Sequence, residues 1–278
     1  MKNISLFLVL LLMVMPWAAS AEVMPGDVDG NGKTNISDVT ELIDYLLTRD
    51  ASSIDLGAAD VNSDDMVNIV DVTVLIDMIL LANVHEYVDL GLPSGTLWAT
   101  CNVGASSPEE SGDYFAWGET EPKDLYSWSN YKWCNGSNNT MTKYCANGLY
   151  GTFDNKTELD DEDDAAYMNW GENWCMPTSD QLQELKNNCT WTWTKQNGVN
   201  GHLVTGPNGN TLFLPATGYR WDDLLGSAGS AGSFWSRTLY SNFSNHAWSV
   251  YFDSQAVNQN INYRNYGIPV RAVRVPQN

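Results

Sequence analysis

The chain has 278 residues with 34 acidic and 14 basic side chains, which gives a formal charge of −20 at pH 7. This excess of negative charge argues against binding to nucleic acid or to an anionic membrane surface, because both require basic patches. The five cysteines are an odd number, so at least one thiol has no partner within the chain.

The first 21 residues have the organisation of a secretory signal peptide. Lys2 precedes an apolar stretch over residues 6–15, and small residues lead to a cleavage site after Ala21. The apolar stretch is too short to span a bilayer, and no other run is long enough. Because the first cysteine is Cys101, a lipid anchor at the cleavage site is not expected. The sequence predicts a secreted or cell-surface protein that is not a lipoprotein.

A twelve-residue pattern of oxygen-bearing side chains occurs in loop one (residues 27–38) and again in loop two (residues 60–71). Calcium takes six to eight oxygen ligands, which such a loop supplies from side chains and from the backbone carbonyl at position 7. The expected ligands are Asp27, Asp29, Asn31, Lys33, Asn35 and Asp38, then Asp60, Asn62, Asp64, Met66, Asn68 and Asp71. Position 6 favours positive φ, which suits Gly32 in loop one better than Asp65 in loop two. We predict two Ca²⁺ sites, with the weaker one in loop two.

Each loop is followed by an apolar pattern with helical spacing. The two matching stripes are Val39, Leu42, Ile43, Leu46 and Leu47, then Val72, Leu75, Ile76, Ile79 and Leu80. Residues 22–26 are too short to form a helix before loop one, as a full EF-hand would have. Each unit is therefore predicted to consist of one loop and one helix.

This duplicated loop and helix resembles a dockerin, a calcium-dependent all-α module, over residues 26–82. The resemblance implies docking onto a cohesin-like module or another surface protein. Well-studied cellulosomal dockerins resemble one another in a Ser-Thr pair in the loop and a basic pair on the helix. At those places this chain has Ile36-Ser37, Ile69-Val70, Ile43-Asp44 and Ile76-Asp77. We interpret Asp44 and Asp77 as part of a docking face that prefers a basic partner; the alternative is a calcium-stabilised repeat without a docking partner.

The composition changes after a short linker at residues 83–86, and residues 87–278 contain eleven of the twelve tryptophans. Strands are predicted at 96–99, 113–117, 202–204, 211–214, 246–252 and 270–275. One helix is expected over 177–186, with Thr178 or Ser179 as its N-cap and Leu182 and Leu185 on one face. This combination predicts a loop-rich α+β domain with a small antiparallel sheet.

Seven motifs in this region together resemble the Fibrobacter succinogenes major paralogous domain. They start at Tyr87, Gly112, Asp163, Trp174, Leu214, Phe234 and Val270. That family is similar to the C-type-lectin-like fold, in which a segment such as Met176-Pro177-Thr178 opens a helix. The resemblance implies a fold more than an activity.

The tryptophans of this region divide by sequence context. Those inside strand-like runs are expected to be buried, namely Trp98, Trp117, Trp235 and Trp248. Those in Gly-, Asn- or Ser-rich stretches are candidates for facing a ligand, namely Trp128, Trp133, Trp170, Trp191, Trp193 and Trp221. Because aromatic rings combine an apolar face with a polar edge, we predict binding to an extracellular target such as a glycan.

Recognisable catalytic patterns are missing from the sequence, and its three histidines are scattered. Glu119 and Glu121, or the acidic run at 160–164, offer carboxylates for glycoside hydrolysis. The same run could hold a further calcium ion, although acidic runs are more often solvated. We predict a non-enzymatic binding protein; the alternatives are a polysaccharide-degrading enzyme and a purely structural surface protein.

The cysteines leave two interpretations open. An exported protein can form disulfides, and the near neighbours are Cys134 with Cys145 and Cys175 with Cys189. Small buried thiols are the equally weighted alternative.

Overall fold

The computed structural model describes residues 24–82 and 85–274. These residues form two compact units, which divide between Ala82 and Asn83. The predicted signal peptide at 1–21 and linker residues 83 and 84 lie outside the described residues. None of the described helices is long and apolar enough to cross a membrane.

The first unit consists of two long helices and one short helix. They are α1 (Ile36–Thr48), α2 (Leu56–Ala59) and α3 (Ile69–Ala82), and α1 packs against α3. The short helix was not predicted. It is capped by Asp55, whose Oδ1 accepts hydrogen bonds from the backbone of Gly57 at 2.8 Å and of Ala58 at 3.2 Å. Loop two is thus preceded by a single helical turn.

The core of the first unit is built from equivalent residues of the two repeats. The matched buried pairs are Val28 and Val61, Val39 and Val72, and Leu42 and Leu75. The predicted stripes are wrong in one respect, because Ile43, Leu47, Ile76 and Leu80 are exposed. A helix in a unit this small buries only the narrow strip that meets its partner helix, so the outer half of each stripe faces solvent.

The second unit combines short antiparallel sheets with two helices and long loops. Its strands are β1 (Tyr87–Asp89), β2 (Leu97–Ala99), β3 (Tyr114–Phe115), β4 (Thr190–Gln196), β5 (Val199–Thr205), β6 (Thr211–Pro215), β7 (Tyr219–Trp221), β8 (Leu224–Gly226), β9 (Ala231–Leu239), β10 (His246–Asp253), β11 (Val257–Tyr263), β12 (Ile268–Pro269) and β13 (Val273–Arg274). The helices are α4 (Ala165–Trp170) and α5 (Ser179–Asn188).

The strands form five sheets within the described residues, so the prediction of one small sheet is wrong. Their orders are β1-β2-β13, β9-β10-β11, β3-β12, β4-β5-β6 and β7-β8. Of the last predicted strand at 270–275, only residues 273–274 form one, and residue 275 lies outside the described residues. Loops of many lengths separate the strands, which keeps each sheet small.

Helix α5 begins where the sequence predicts. The side chain of Thr178 accepts a hydrogen bond from the backbone of Gln181 at 3.1 Å, and the Gln181 side chain accepts one from the backbone of Thr178 at 2.8 Å. Leu182 and Leu185 are both buried, as expected. This capping box fixes the start of the helix and points its apolar face into the core.

Three of the four tryptophans expected in the core are buried, namely Trp98, Trp117 and Trp235. The indole of Trp117 donates to the carbonyl of Ser236, and that of Trp235 donates to the carbonyl of Phe115, both at 2.8 Å. The prediction for Trp248 is wrong: its ring is half-buried and packs against the edge of Tyr240.

All five cysteines are free thiols, so neither disulfide option is present. Burial raises the pKa of Cys175 and of Cys189 to about 11, and both therefore stay protonated at neutral pH. The alternative of small buried thiols is confirmed for Cys145, whereas the other four thiols are only partly buried.

His202 is a buried titratable residue of the second unit, and within residues 85–274 only one of its ring nitrogens is hydrogen-bonded. Its Nε2 donates to the carbonyl of Asp253 at 2.8 Å, so the neutral ring carries its proton there. Its Nδ1 is buried and has no hydrogen-bond partner among the described residues. Burial lowers the pKa of His202, because the charged ring would lose its hydration.

Candidate metal and ligand sites

The side chains of loop one fold inward and hold the loop by hydrogen bonds to its own backbone. The two carboxylate oxygens of Asp38 accept from the backbone of Asp29 at 3.1 Å and of Asn35 at 2.7 Å. Asp27 accepts from Gly32 at 3.0 Å, and Asn31 accepts from Lys33 at 2.9 Å. Asp38 thus joins the start of α1 to the start of the loop.

Three carboxylates converge in loop one. Oxygens of Asp27, Asp29 and Asp38 all lie within 4.8 Å of one another. The Oδ1 atom of Asp27 is buried and has no hydrogen-bond partner within residues 24–82 or 85–274. Three close negative charges and an unsatisfied buried oxygen are costly without a cation. The residues present therefore fit a hard divalent cation such as calcium.

Loop two repeats this scheme with small differences. Asp71 is fully buried and accepts from the backbone of Asn62 at 3.3 Å and of Asn68 at 2.8 Å. Asp60 uses both oxygens to accept from Asp64 and Asp65, at 3.0 and 2.8 Å. The Met66 carbonyl, a predicted ligand, accepts from the side chain of Asn68 at 3.1 Å. Among the described residues, its three carboxylates do not converge as closely as those of loop one.

The two loops differ at positions where the backbone is left-handed. Loop one has Gly30 at φ 70° and Gly32 at φ 83°, whereas loop two has Ser63 at φ 58° and Asp65 at φ 64°. Position 6 was expected from the sequence, but position 4 was missed. A side chain other than glycine in this region costs about 1–2 kcal/mol, so loop two carries strain at two positions.

Asp44 and Asp77, the predicted docking residues, are both exposed on equivalent faces of α1 and α3. Exposed apolar side chains surround them in matched pairs. The exposed fractions are 68% and 66% for Ile36 and Ile69, 39% for both Ile43 and Ile76, and 78% and 60% for Leu47 and Leu80. The structure thus presents the same apolar and acidic face twice.

The six candidate tryptophans are all partly buried and lie at several separate places. Trp191 and Trp193 are on strand β4, not in a loop, and both pack against the ring of His202. The Trp133 indole donates to the carbonyl of Gly118 at 2.7 Å. These three tryptophans are engaged in packing or hydrogen bonding within the unit.

The other three contact aromatic rings in different parts of the unit. Trp128 lies on a 3₁₀ helix and contacts Tyr263 edge to face. Trp221, on β7, packs against Tyr219. Trp170 ends α4 and stacks on His85, with ring centroids 3.7 Å apart. Whether any of the six binds a ligand stays a prediction.

Carboxylates of the acidic run at 160–164 form ion pairs with lysine side chains of the same unit. The buried carboxylate of Asp163 accepts from Lys132 at 2.9 Å and from Lys143 at 2.7 Å. Burial opposes its charged form, but these bonds outweigh that effect and lower the pKa of Asp163. Hydrogen bonds from Lys143 and Lys156 lower the pKa of Asp160 to about 2. Asp161 and Glu162 are exposed, as expected of a solvated run. Oxygens of Asp160, Glu162 and Asp163 lie within 4.8 Å of one another, so calcium binding here stays a prediction, and a cation would compete with these lysines.

Asp164 and Glu119 also have structural partners. Asp164 is buried, caps α4 and accepts from the backbone of Met176 at 2.9 Å. Burial raises the pKa of Asp164. Glu119 is paired with Lys123 at 2.7 Å and accepts from the backbone of Lys132, while Glu121 is exposed. The carboxylates considered for hydrolysis are therefore ion-paired, used as helix caps or exposed to solvent.

Comparisons with known proteins match the two units separately. Residues 25–80 match the family model of the dockerin type I domain, and residues 176–273 match that of a domain of unknown function, DUF8237. A solved chain in the CaDoc0917–CaCohA2 complex is 32% identical, covering 21% of this chain and 98% of its own length, with a TM-score of 0.21. None of the curated proteins compared matches. These matches include no counterpart of the Fibrobacter or lectin resemblance.

Proposed function

We propose that the dockerin type I domain at residues 25–80 attaches the second unit to a cohesin module outside the cell in a calcium-dependent way. The observation that carries this proposal is the doubled face formed by the matched exposed pairs on α1 and α3. Soluble units of this size do not usually leave six large apolar side chains exposed in a matched arrangement. A cohesin surface that buries them provides the physical reason for their exposure.

Calcium would act in this module by holding each loop against the helix that follows it. In loop one, Asp27, Asp29 and Asp38 would supply the carboxylates, with Asn31, Asn35 and the Lys33 carbonyl beside them. The corresponding residues of loop two are Asp60, Asn62, Asp64, the Met66 carbonyl, Asn68 and Asp71. Because Asp38 and Asp71 open their helices, the metal fixes the direction in which α1 and α3 present the docking face.

The doubled face has a consequence for binding geometry. Ile43 with Asp44 on α1 and Ile76 with Asp77 on α3 are related by the internal repeat. A partner that recognises one copy can recognise the other after a half-turn of the module. The acidic residue in each copy favours a cohesin with basic residues at the rim of its binding surface.

Docking is tested by calorimetry of the full chain against a panel of purified cohesin modules in millimolar calcium. Binding to at least one module with one-to-one stoichiometry is expected. A chain that binds none of them, while its calcium loops titrate normally, would support the alternative of a calcium-stabilised structural repeat.

We further propose that the attached second unit is a non-enzymatic binding module for a glycan. Support comes from the carboxylates considered for hydrolysis, of which Glu119, Asp163 and Asp164 are paired or used as caps. Support also comes from the many half-exposed aromatic rings of this unit. A glycan array probed with the full chain, with hydrolysis of each ligand assayed in parallel, tests the proposal. Release of reducing ends would favour the polysaccharide-degrading alternative.

A further inference from the structure

A cleft in the second unit is walled by four aromatic rings. A cavity of about 500 Å³ is lined by His85, Tyr87, Trp170 and Trp174 together with the segment 171–173 and Arg274. His85 stacks on Trp170, and Trp174 meets the edge of Trp170 at 5.3 Å between centroids. Tyr87 is half exposed. The cavity is of the size at which proteins hold small ligands.

The cleft continues into a second cavity of about 250 Å³, which shares its Glu172, Asn173, Trp174 and Arg274 wall and adds Arg237 and Tyr167. The guanidinium of Arg274 lies over Tyr87 at 4.8 Å and over Trp174 at 5.8 Å. Within the described residues, the Nε atoms of Arg237 and Arg274 are buried and have no hydrogen-bond partner. Both guanidinium groups therefore have hydrogen-bonding capacity beside the cleft that the described residues do not use.

The charges at the cleft indicate which class of ligand it can bind. Arg237 is paired with Asp161 at 3.3 Å and with the buried Asp164 at 3.7 Å, and Glu172 lines the same cavities as Arg274. The cleft therefore has no net positive charge, while the whole chain carries −20. A polyanion would be repelled by the chain without a net positive cleft to retain it. A neutral ligand with hydroxyl groups can donate to Glu172 and accept from the guanidinium groups.

We propose that this cleft binds a neutral pyranose unit of an extracellular glycan. The aromatic walls cover the apolar C–H face of the sugar ring, and Arg237 and Arg274 donate to its oxygens. The inference rests on the proposed glycan-binding function and adds its location and its ligand class. Its failure can be distinguished from failure of that function, because the unit has another surface rich in aromatic rings.

That second surface provides the control. Phe243, His246, Tyr263 and Tyr266 form a row of contacting rings with centroids 4.2 to 5.9 Å apart, and it shares no lining residue with the cleft. Tyr263 and Phe243 are 37% and 44% exposed, comparable to Tyr87 at 50%. Substitution of an exposed aromatic residue in each place removes a similar ring without opening the core.

The experiment is isothermal titration of the full chain with neutral gluco-, xylo- and mannohexaose and with the acidic galacturonohexaose. Wild type should bind at least one neutral hexaose and should bind the acidic one more weakly. Tyr87→Ala and Arg274→Gln should each weaken neutral binding about tenfold or more, whereas Tyr263→Ala and Phe243→Ala should leave it within about twofold. Thermal melts establish that each variant is folded.

Three results would overturn the inference. If Tyr263→Ala weakens binding and the two cleft variants do not, the glycan binds the ring row, and the proposed function stands without this cleft. If the acidic hexaose binds best, the assignment to neutral sugars is wrong. If wild type binds none of the four hexaoses, both the cleft assignment and glycan binding fail.

Discussion

Substitutions at one matched position of the two calcium loops should narrow the difference between their calcium affinities. Ser63 and Gly30 occupy the same loop position, with φ values of 58° and 70°. A Cβ atom added to Gly30 would meet nothing within 4 Å, so the exchange changes backbone strain and not packing. Neither Ser63→Gly nor Gly30→Ser alters the charge near the metal, whereas Asp65→Gly would remove a carboxylate.

The size of the effect follows from the cost of a left-handed backbone, about 1 kcal/mol for a non-glycine residue at the lower end of its range. A module this small depends on its metal for folding, so the loop takes up the strained conformation as calcium binds. A cost of about 1 kcal/mol corresponds to about fivefold in Kd. Ser63→Gly should therefore tighten loop two about fivefold, and Gly30→Ser should weaken loop one by the same factor.

Calcium titration calorimetry of the full chain, fitted to two sites, measures both effects. Wild type should show unequal sites, with the weaker one in loop two. Ser63→Gly should bring the two Kd values closer by tightening loop two, and Gly30→Ser should also bring them closer by weakening loop one. Two equal wild-type sites, or no response to either substitution, would refute the argument that backbone strain sets the difference.

Three other outcomes are expected. Removing calcium with EDTA should unfold residues 24–82 and leave residues 85–274 folded, because micromolar sites in millimolar calcium each contribute about 4 kcal/mol; circular dichroism melts that do not change with EDTA would contradict this. Asp44→Lys combined with Asp77→Lys should abolish cohesin capture in a pull-down, while each single variant retains it through the other copy of the face. The free energy of unfolding of the second unit should fall as pH drops below about 6.5, because burial lowers the pKa of His202 and the unfolded chain then binds more protons; denaturant melts from pH 7 to pH 5 measure this slope.

The calcium loops and the helices after them could be predicted because their chemistry is local. Ligand spacing, a capping residue and helical periodicity are all contained in twelve or so consecutive residues. The half of each apolar stripe that faces solvent could not be predicted, because Ile43 and Leu42 differ only in their direction relative to the partner helix. The left-handed backbone of Ser63 was also missed, since serine gives no signal of positive φ.

The second unit was less predictable because its contacts join distant segments. Residues Thr190–Thr194 alternate Thr and Trp, a period-two signal for strand β4 that the loop-like composition around it obscured. No local pattern could show that Arg264 would be fully buried, with its guanidinium donating to Tyr131 and to the carbonyl of Ser244, both at 2.8 Å. The cleft likewise combines residues from both ends of the unit.

The central claim is that calcium and the doubled face together make the first unit a docking module. The most direct test is surface plasmon resonance of the full chain over an immobilised cohesin, in calcium and then in EDTA. Binding that appears in calcium, disappears in EDTA and returns when calcium is restored is the predicted result. Equal binding with and without calcium, or equal binding by the Asp44→Lys, Asp77→Lys double variant, would contradict it.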